Sequence, residues 1–209
     1  PGPVAAGGFA PVSRPNWFLA LPLPADAASV WLAAAAAAPP VLRRFHPADL
    51  HLTLAFLGPC DEAAALAAWQ ALDGLVHQPI TIRAGGWRAL GSPGAPSAYG
   101  LTLAEGHPEL SRLLSAWGGL ALAAAGCRPE QRPPLPHFTL LRPPRRQAVE
   151  LREPMAAWMA AAPLPPQPAL LSRLALYTWA DERRQRLFRI VCSRTLASPP
   201  PAESPTWNH

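Results

Sequence analysis

The chain of 209 residues contains no lysine, because all 18 of its basic residues are arginine. This absence excludes a P-loop lysine for nucleotide phosphates, a lysine that is adenylylated, and a lysine that forms a Schiff base. A GC-rich genome explains an all-arginine set more simply than selection for function does. The absence therefore narrows the possible mechanisms without indicating one.

Cysteine is scarce as well, with Cys60, Cys127 and Cys192 widely spaced along the chain. An odd number at such spacings argues against a disulfide framework and against a C-x-x-C zinc site, so we expect three small buried residues. No apolar run reaches the ~18 residues that a membrane span requires, and no secretory signal pattern is visible. A cytoplasmic protein without membrane contact is therefore expected.

Positive charge is concentrated towards the C-terminus. Residues 1–127 contain six arginines and seven acidic residues, whereas residues 128–209 contain twelve arginines and six acidic residues. The net charge of +5 therefore resides in the last part of the chain. This asymmetry indicates either a basic face for a phosphate-rich partner or an ordinary solvated surface.

Local patterns predict seven strands and four helices. Half of the residues are hydrophobic, which suits a folded core. We expect a flexible segment at 1–12, a single domain at 13–196 and a flexible tail at 197–209. The order of elements in the second half roughly repeats that of the first, which predicts an α+β fold of two similar lobes with antiparallel or mixed sheets and outer helices.

Two of the predicted strands carry the same short motif, His-x-Thr-Leu. It occurs at residues 51–54 and again at 137–140. Side chains alternate between the faces of a strand, so His51 and Thr53 share one face, and His137 and Thr139 do likewise. Two such pairs facing one cleft provide an acid, a base and two hydrogen-bond donors.

The same alternation predicts where the other side chains of these strands lie. It places Phe56, together with the leucines before it, on the packed face opposite His51. It also places Arg142 on the face of Phe138 and Leu140, opposite His137.

A single histidine on a strand is usually packed or solvated, but the pairing with threonine, found twice, favours function. A zinc site would need further ligands beside the two histidines, and none is spaced to suggest it, so no metal is expected. The tryptophans are expected in the core. One of them, or Tyr99 or Phe45, is a candidate for stacking a base at the rim of the cleft.

The run from Asp49 to Gly58 resembles the first signature of the 2H phosphoesterases, in particular the bacterial RNA 2′,3′-cyclic phosphodiesterases. These are also called 2′–5′ RNA ligases (the ThpR/LigT family). The run from Pro136 to Arg142 resembles their second signature. The similarity extends from about Asn16 to Leu196. The resemblance implies a LigT-like bilobal fold around a central cleft, with no metal and no cofactor.

The resemblance also implies roles for individual residues. His51 is the expected general acid (proton donor), and His137 is the expected general base (proton acceptor). Thr53 and Thr139 are expected to donate hydrogen bonds to the phosphate, and Arg142 matches an arginine that commonly follows the second motif.

The expected activity is hydrolysis of RNA 2′,3′-cyclic phosphate ends to 2′-phosphates, with 2′–5′ RNA ligation as related chemistry. Histidine suits both proton transfers because its pKa lies near neutral pH. We expect a monomer that acts on RNA 3′ ends or on nucleotides with a cyclic phosphate. Two alternatives stay open: a phosphodiesterase of small cyclic nucleotides or 2′–5′ oligonucleotides, and an RNA-binding module that does not catalyse.

Overall fold

The computed structural model describes residues 14–196. The segments predicted to be flexible, 1–12 and 197–209, therefore lie outside the described residues. The strands are β1 (Trp17–Pro22), β2 (Arg43–Arg44), β3 (His51–Gly58), β4 (Ile80–Ser92), β5 (Ala95–Glu105), β6 (His137–Arg142), β7 (Ala169–Leu171), β8 (Arg173–Trp179) and β9 (Phe188–Thr195). The α-helices are α1 (Ala25–Ala34), α2 (Glu62–Gln70), α3 (His107–Ala124) and α4 (Arg152–Ala161), and short 3-10 helices lie at Pro47–Asp49 and Arg145–Gln147.

The strands form two antiparallel sheets. The first sheet has the order β3-β1-β8-β9, and the second has the order β2-β6-β5-β4-β7. Helix α3 packs against β3 and α2, while α4 packs against β4. The predicted α+β class is confirmed, with one motif strand in each sheet.

The two lobes are not successive halves of the chain. The structure divides residues 169–179 into two strands at Ser172. Strand β7 pairs with β4 in the second sheet, whereas β8 pairs with β1 in the first. The C-terminal hairpin of β8 and β9 therefore completes the N-terminal sheet, a crossing that local periodicity does not reveal.

The core is shared between the sheets. One cluster of buried apolar side chains contains Leu19 and Leu52 from the first sheet and Leu101 and Phe138 from the second. Trp31 of α1 meets Phe138 edge to face, with ring centroids 5.0 Å apart. This continuity supports our proposal that residues 13–196 are one domain.

Two further properties concern the part of the chain that the structure describes. None of its helices is long and apolar enough to cross a membrane. The three cysteines are free, and each is half-buried against the core rather than enclosed in it. The expected burial of the cysteines is therefore only partial, because Cys60 and Cys127 lie just beyond β3 and α3, and Cys192 lies in the edge strand β9.

Candidate active site

Both motif strands contain the same irregularity. In β3 the register skips Leu54, because Thr53 lies opposite Ala20 while Ala55 lies opposite Leu19. In β6 the register skips the equivalent Leu140. Each strand therefore has a β-bulge directly after its threonine.

The bulge changes the face of the residues that directly follow it. In both strands the two residues after the threonine are buried and the third is exposed. Phe56 is accordingly 58% exposed, so its predicted packed position is wrong. Arg142 occupies the corresponding place in β6 and returns to the side of His137, contrary to the prediction from strict alternation.

The backbone fixes the orientation of the His51 imidazole. Its Nδ1 lies 2.7 Å from the carbonyl oxygen of Asp49. A carbonyl only accepts hydrogen bonds, so Nδ1 carries the proton and donates it. In the neutral ring, Nε2 is therefore the nitrogen with a free lone pair, and it has no hydrogen-bond partner among residues 14–196.

His137 repeats this arrangement on the other sheet. Its Nδ1 donates to the carbonyl oxygen of Leu135 at 2.6 Å, again two residues earlier in the chain. The same tautomer follows, with Nε2 as the available nitrogen. The two halves of the site thus share a local geometry as well as a sequence motif.

The two imidazoles are close to each other. Strands β3 and β6 contact one another, and His137 is near enough to His51 to lower its pKa. Thr53 and Thr139 are half-buried and lie two residues further along the same strand faces. We call the space that these four side chains face the cleft.

Aromatic rings enclose His51. Phe18 stacks on it with ring centroids 4.7 Å apart, Tyr177 lies at 5.2 Å, and Phe188 meets it edge on at 5.6 Å. Removal of water by these rings lowers the pKa of His51 to about 4, although the bond to the Asp49 carbonyl acts in the opposite direction. The free protein therefore holds His51 neutral at pH 7.

A buried carboxylate, that of Asp49, holds the backbone around His51 in place. Asp49 is 1% exposed, and its Oδ2 and Oδ1 accept the backbone N–H groups of Leu187 and Phe188 at 2.6 and 3.1 Å. Arg186 Nε lies 3.8 Å from Oδ1. Asp49 thereby ties the start of β9, with its Phe188 ring, to the residue whose carbonyl orients His51.

His137 has a different electrostatic environment. Burial lowers its pKa, the bond to the Leu135 carbonyl acts against this, and the nearby guanidinium of Arg88 lowers it further. Neither histidine is paired with a carboxylate among the described residues. Both imidazoles are thus biased towards the neutral form until an anion enters the cleft.

Arg142 lies against an aromatic ring and beside other arginines at the end of β6. Its Cζ lies 5.5 Å from the ring centroid of Phe45, and it lines a cavity of about 370 Å³ together with Arg145. Burial and the charges of Arg43, Arg145 and Arg183 lower its pKa. Arg142 belongs to a cluster of four arginines at the end of β6, which we call the arginine cluster.

Sequence reasoning missed the aromatic enclosure. Phe18 and Tyr177 are distant from His51 in the chain, and only the pairing of β1 with β3 and β8 brings them to it. Tyr99 and Phe45, which were named together with the tryptophans as candidates for base stacking, are 0% and 5% exposed and belong to the core.

Residue types that can bind metal ions do not cluster in the described part of the chain. Between residues 14 and 196 no three side chains of His, Cys, Asp or Glu lie close enough together to bind one.

The fold matches several solved structures. No protein-family model matches the sequence, and no curated protein matches it. A crystal structure of a phosphoesterase superposes with a TM-score of 0.69 at 23% identity, covering 88% of this chain and 99% of that one. LigT of E. coli in complex with 3′-AMP gives 0.68 at 21% identity over 88% and 100%. TT0787 of Thermus thermophilus gives 0.60 at 24% identity over 87% and 97%. The chain therefore has the LigT fold.

Proposed function

We propose that this chain is a 2H phosphoesterase that hydrolyses RNA 2′,3′-cyclic phosphate ends to 2′-phosphates without a metal ion. One observation carries the proposal: two His-x-Thr strands from separate sheets present imidazoles with the same tautomer to one cleft. The likeness to LigT and to a phosphoesterase supports it at the level of the fold. The same site is suited to 2′–5′ ligation, with an RNA hydroxyl in place of water.

The chemistry needs one proton acceptor and one donor on opposite sides of phosphorus. His137 Nε2 removes a proton from water as the water oxygen bonds to phosphorus. His51 Nε2 gives a proton to the 3′ oxygen as its bond to phosphorus breaks, which leaves the phosphate on the 2′ oxygen. Hydroxyls of Thr53 and Thr139 donate to the other phosphate oxygens, whose charge increases in the transition state.

The low pKa of His51 sets a condition on this mechanism. A donor with a pKa of about 4 is unprotonated in the empty cleft at pH 7. A bound phosphodiester is an anion, and an opposite charge at hydrogen-bond distance raises the pKa of an imidazole. The substrate itself therefore brings His51 into its protonated form.

The proposal is tested with RNA that ends in a 2′,3′-cyclic phosphate, incubated with purified protein in EDTA. A 2′-phosphate end is the expected product. His51→Ala and His137→Ala are each expected to lower turnover by roughly 10²–10⁴-fold, the contribution of one general acid or base. His77→Ala serves as the matched control, since His77 pairs with Glu109 outside the cleft. Unchanged RNA at high protein concentration would overturn the proposal.

A second substrate class is suggested by the complexes of one structural neighbour. LigT of E. coli has been crystallised with 3′-AMP, with ATP, with NADP+ and with phosphate. A small nucleotide with a cyclic phosphate is therefore the alternative substrate for this cleft. Competition between RNA and 2′,3′-cyclic AMP in one assay separates the two, since the preferred substrate is consumed first.

A further inference from the structure

A row of residues across the second sheet leads from β4 to the cleft. Arg88 of β4 lies opposite Gly100 of β5, and Gly100 lies opposite Thr139 of β6. Residues directly opposite each other in antiparallel strands project to the same face. Arg88 therefore projects to the face that carries Thr139 and His137.

Glycine at the middle of this row allows β5 and β6 to approach closely. Gly100 has no side chain, and a Cβ there would lie 2.1 Å from the carbonyl oxygen of Phe138. Arg88 and Thr139 are two strand spacings apart, about 10 Å between their backbones. Gly100 itself places no side chain between Arg88 and Thr139, and Leu90 Cδ1 lies 3.2 Å from the position that a Cβ would take.

The charge of Arg88 is not neutralised by the protein. Its side chain is exposed, and between residues 14 and 196 no carboxylate lies within salt-bridge distance of it. Its positive charge nevertheless reaches His137, whose pKa it lowers. An unpaired guanidinium next to an imidazole leaves a position between them that favours an anion.

We propose that Arg88 is a substrate-binding residue that donates hydrogen bonds to the phosphate held between His51 and His137. This inference rests on the proposed function, and it assigns the phosphate a positively charged donor from β4 of the second sheet. A guanidinium presents a planar fork of donors that matches two phosphate oxygens, which an ammonium does not. Arg142 has a different place, since it lies over Phe45 in the arginine cluster.

Kinetics of Arg88→Ala and Arg88→Lys test the inference. We expect kcat/KM on cyclic-phosphate RNA to fall roughly 10- to 100-fold in Arg88→Ala, the range for a hydrogen bond to a charged group, with partial recovery in Arg88→Lys. Arg112→Ala, which removes an exposed arginine of α3, is the matched control and is expected to keep its activity within about twofold.

The pH profile separates binding from a structural role. Removal of the Arg88 charge raises the pKa of His137, and a general base must be unprotonated. The acidic limb of kcat/KM is therefore expected to move to higher pH in Arg88→Ala. Loss of activity with an unmoved limb and a lowered melting temperature would show a structural role and overturn the inference.

Binding of inorganic phosphate distinguishes failure of this inference from failure of the proposed function. NMR signals of the two cleft imidazoles are followed while phosphate is added to the full chain and to Arg88→Ala. A response in the parent that is weakened at least several-fold in the variant supports the inference, even if no cyclic phosphate is hydrolysed. Equal phosphate affinity in both proteins, or no response in the parent, overturns it.

Discussion

At the scale of single residues, the environment of His51 is the most informative feature of the site. Three aromatic rings shield from much of the surrounding water an imidazole whose Nδ1 is already engaged by a backbone carbonyl. Such a group resists protonation until a negative charge is brought to Nε2. The enclosure thus makes the proton donor responsive to the presence of substrate.

The titration of His51 is predicted from this environment. Its imidazole is expected to titrate near pH 4 in the free protein, and its pKa is expected to rise when inorganic phosphate is bound. Since the unfolded chain binds this proton at its usual pKa of 6.5, the free energy of unfolding should also decrease as pH falls from about 6.5 to 4. NMR of the imidazole C–H signals measures the pKa of His51 with and without phosphate, and urea unfolding at several pH values measures the stability. A pKa near 6.5 in the free protein would contradict the account.

Asp49 is predicted to stabilise the site through its carboxylate. In Asp49→Asn one of the two backbone N–H groups of Leu187 and Phe188 loses its acceptor, because an amide nitrogen donates instead of accepting. An unsatisfied buried group costs about 1–3 kcal/mol, which urea unfolding measures. Asp181→Asn, an exposed position, is the control and should change the stability by less than about 0.5 kcal/mol. Equal stability of the two variants would show that the carboxylate is dispensable.

At the scale of elements, the bulges in β3 and β6 decide which side chains face the cleft. Leu54 and Leu140 each add a residue that the neighbouring strand does not match. The extra residue reverses the alternation, so Phe56 and Arg142 emerge on the side of the histidines. The close contact of β5 with β6 at the bulge depends on Gly100, which admits the Phe138 carbonyl.

Gly100→Ala is therefore predicted to disturb β6. A Cβ 2.1 Å from the Phe138 oxygen forces the strands apart, with an expected loss of about 1–3 kcal/mol and a fall in activity because His137 and Thr139 move with β6. Gly119→Ala is the matched control, since nothing lies within 4 Å of the methyl group that it adds and a helical alanine gains about 0.5–1 kcal/mol. Thermal unfolding of both variants checks this, and equal melting temperatures would contradict it.

The sequence predicts those features of the elements that depend on residues within one segment, and it does not predict those that depend on which strands pair. The motif strands follow from alternating apolar residues, and His51 and Thr53 share a face because no bulge lies between them. Strict alternation gives the wrong face for Arg142 because a bulge is defined by the partner strand. The aromatic enclosure and the row from Arg88 to Thr139 depend on sheet register, and no pattern within one segment carries that information.

At the scale of the whole molecule, the arginine cluster lies where the two sheets meet. Arg43 of β2 donates from Nη2 to the carbonyl oxygen of Arg183 at 2.7 Å, which links the second sheet to the turn between β8 and β9. Arg142 and Arg145 complete this basic surface. Its position beyond the end of β6 suits RNA that extends from the cleft, as the proposed function requires.

RNA binding is accordingly predicted to weaken with salt. The affinity for single-stranded RNA should fall linearly on a log–log plot, and Arg142→Ala should reduce the slope by roughly 0.7, the value for one phosphate contact. Fluorescence anisotropy at several salt concentrations measures both slopes. Arg112→Ala is the control, and equal slopes for Arg142→Ala and the parent would exclude Arg142 from RNA binding.

The central claim is that imidazoles from two sheets act on one phosphorus atom. A crystal structure of the protein with a nucleoside 2′-monophosphate tests it most directly. The account predicts the phosphate in the cleft, with His51 Nε2 and His137 Nε2 each within hydrogen-bond distance of a different oxygen of the same group. A phosphate bound elsewhere, or one contacted by a single histidine, would contradict it.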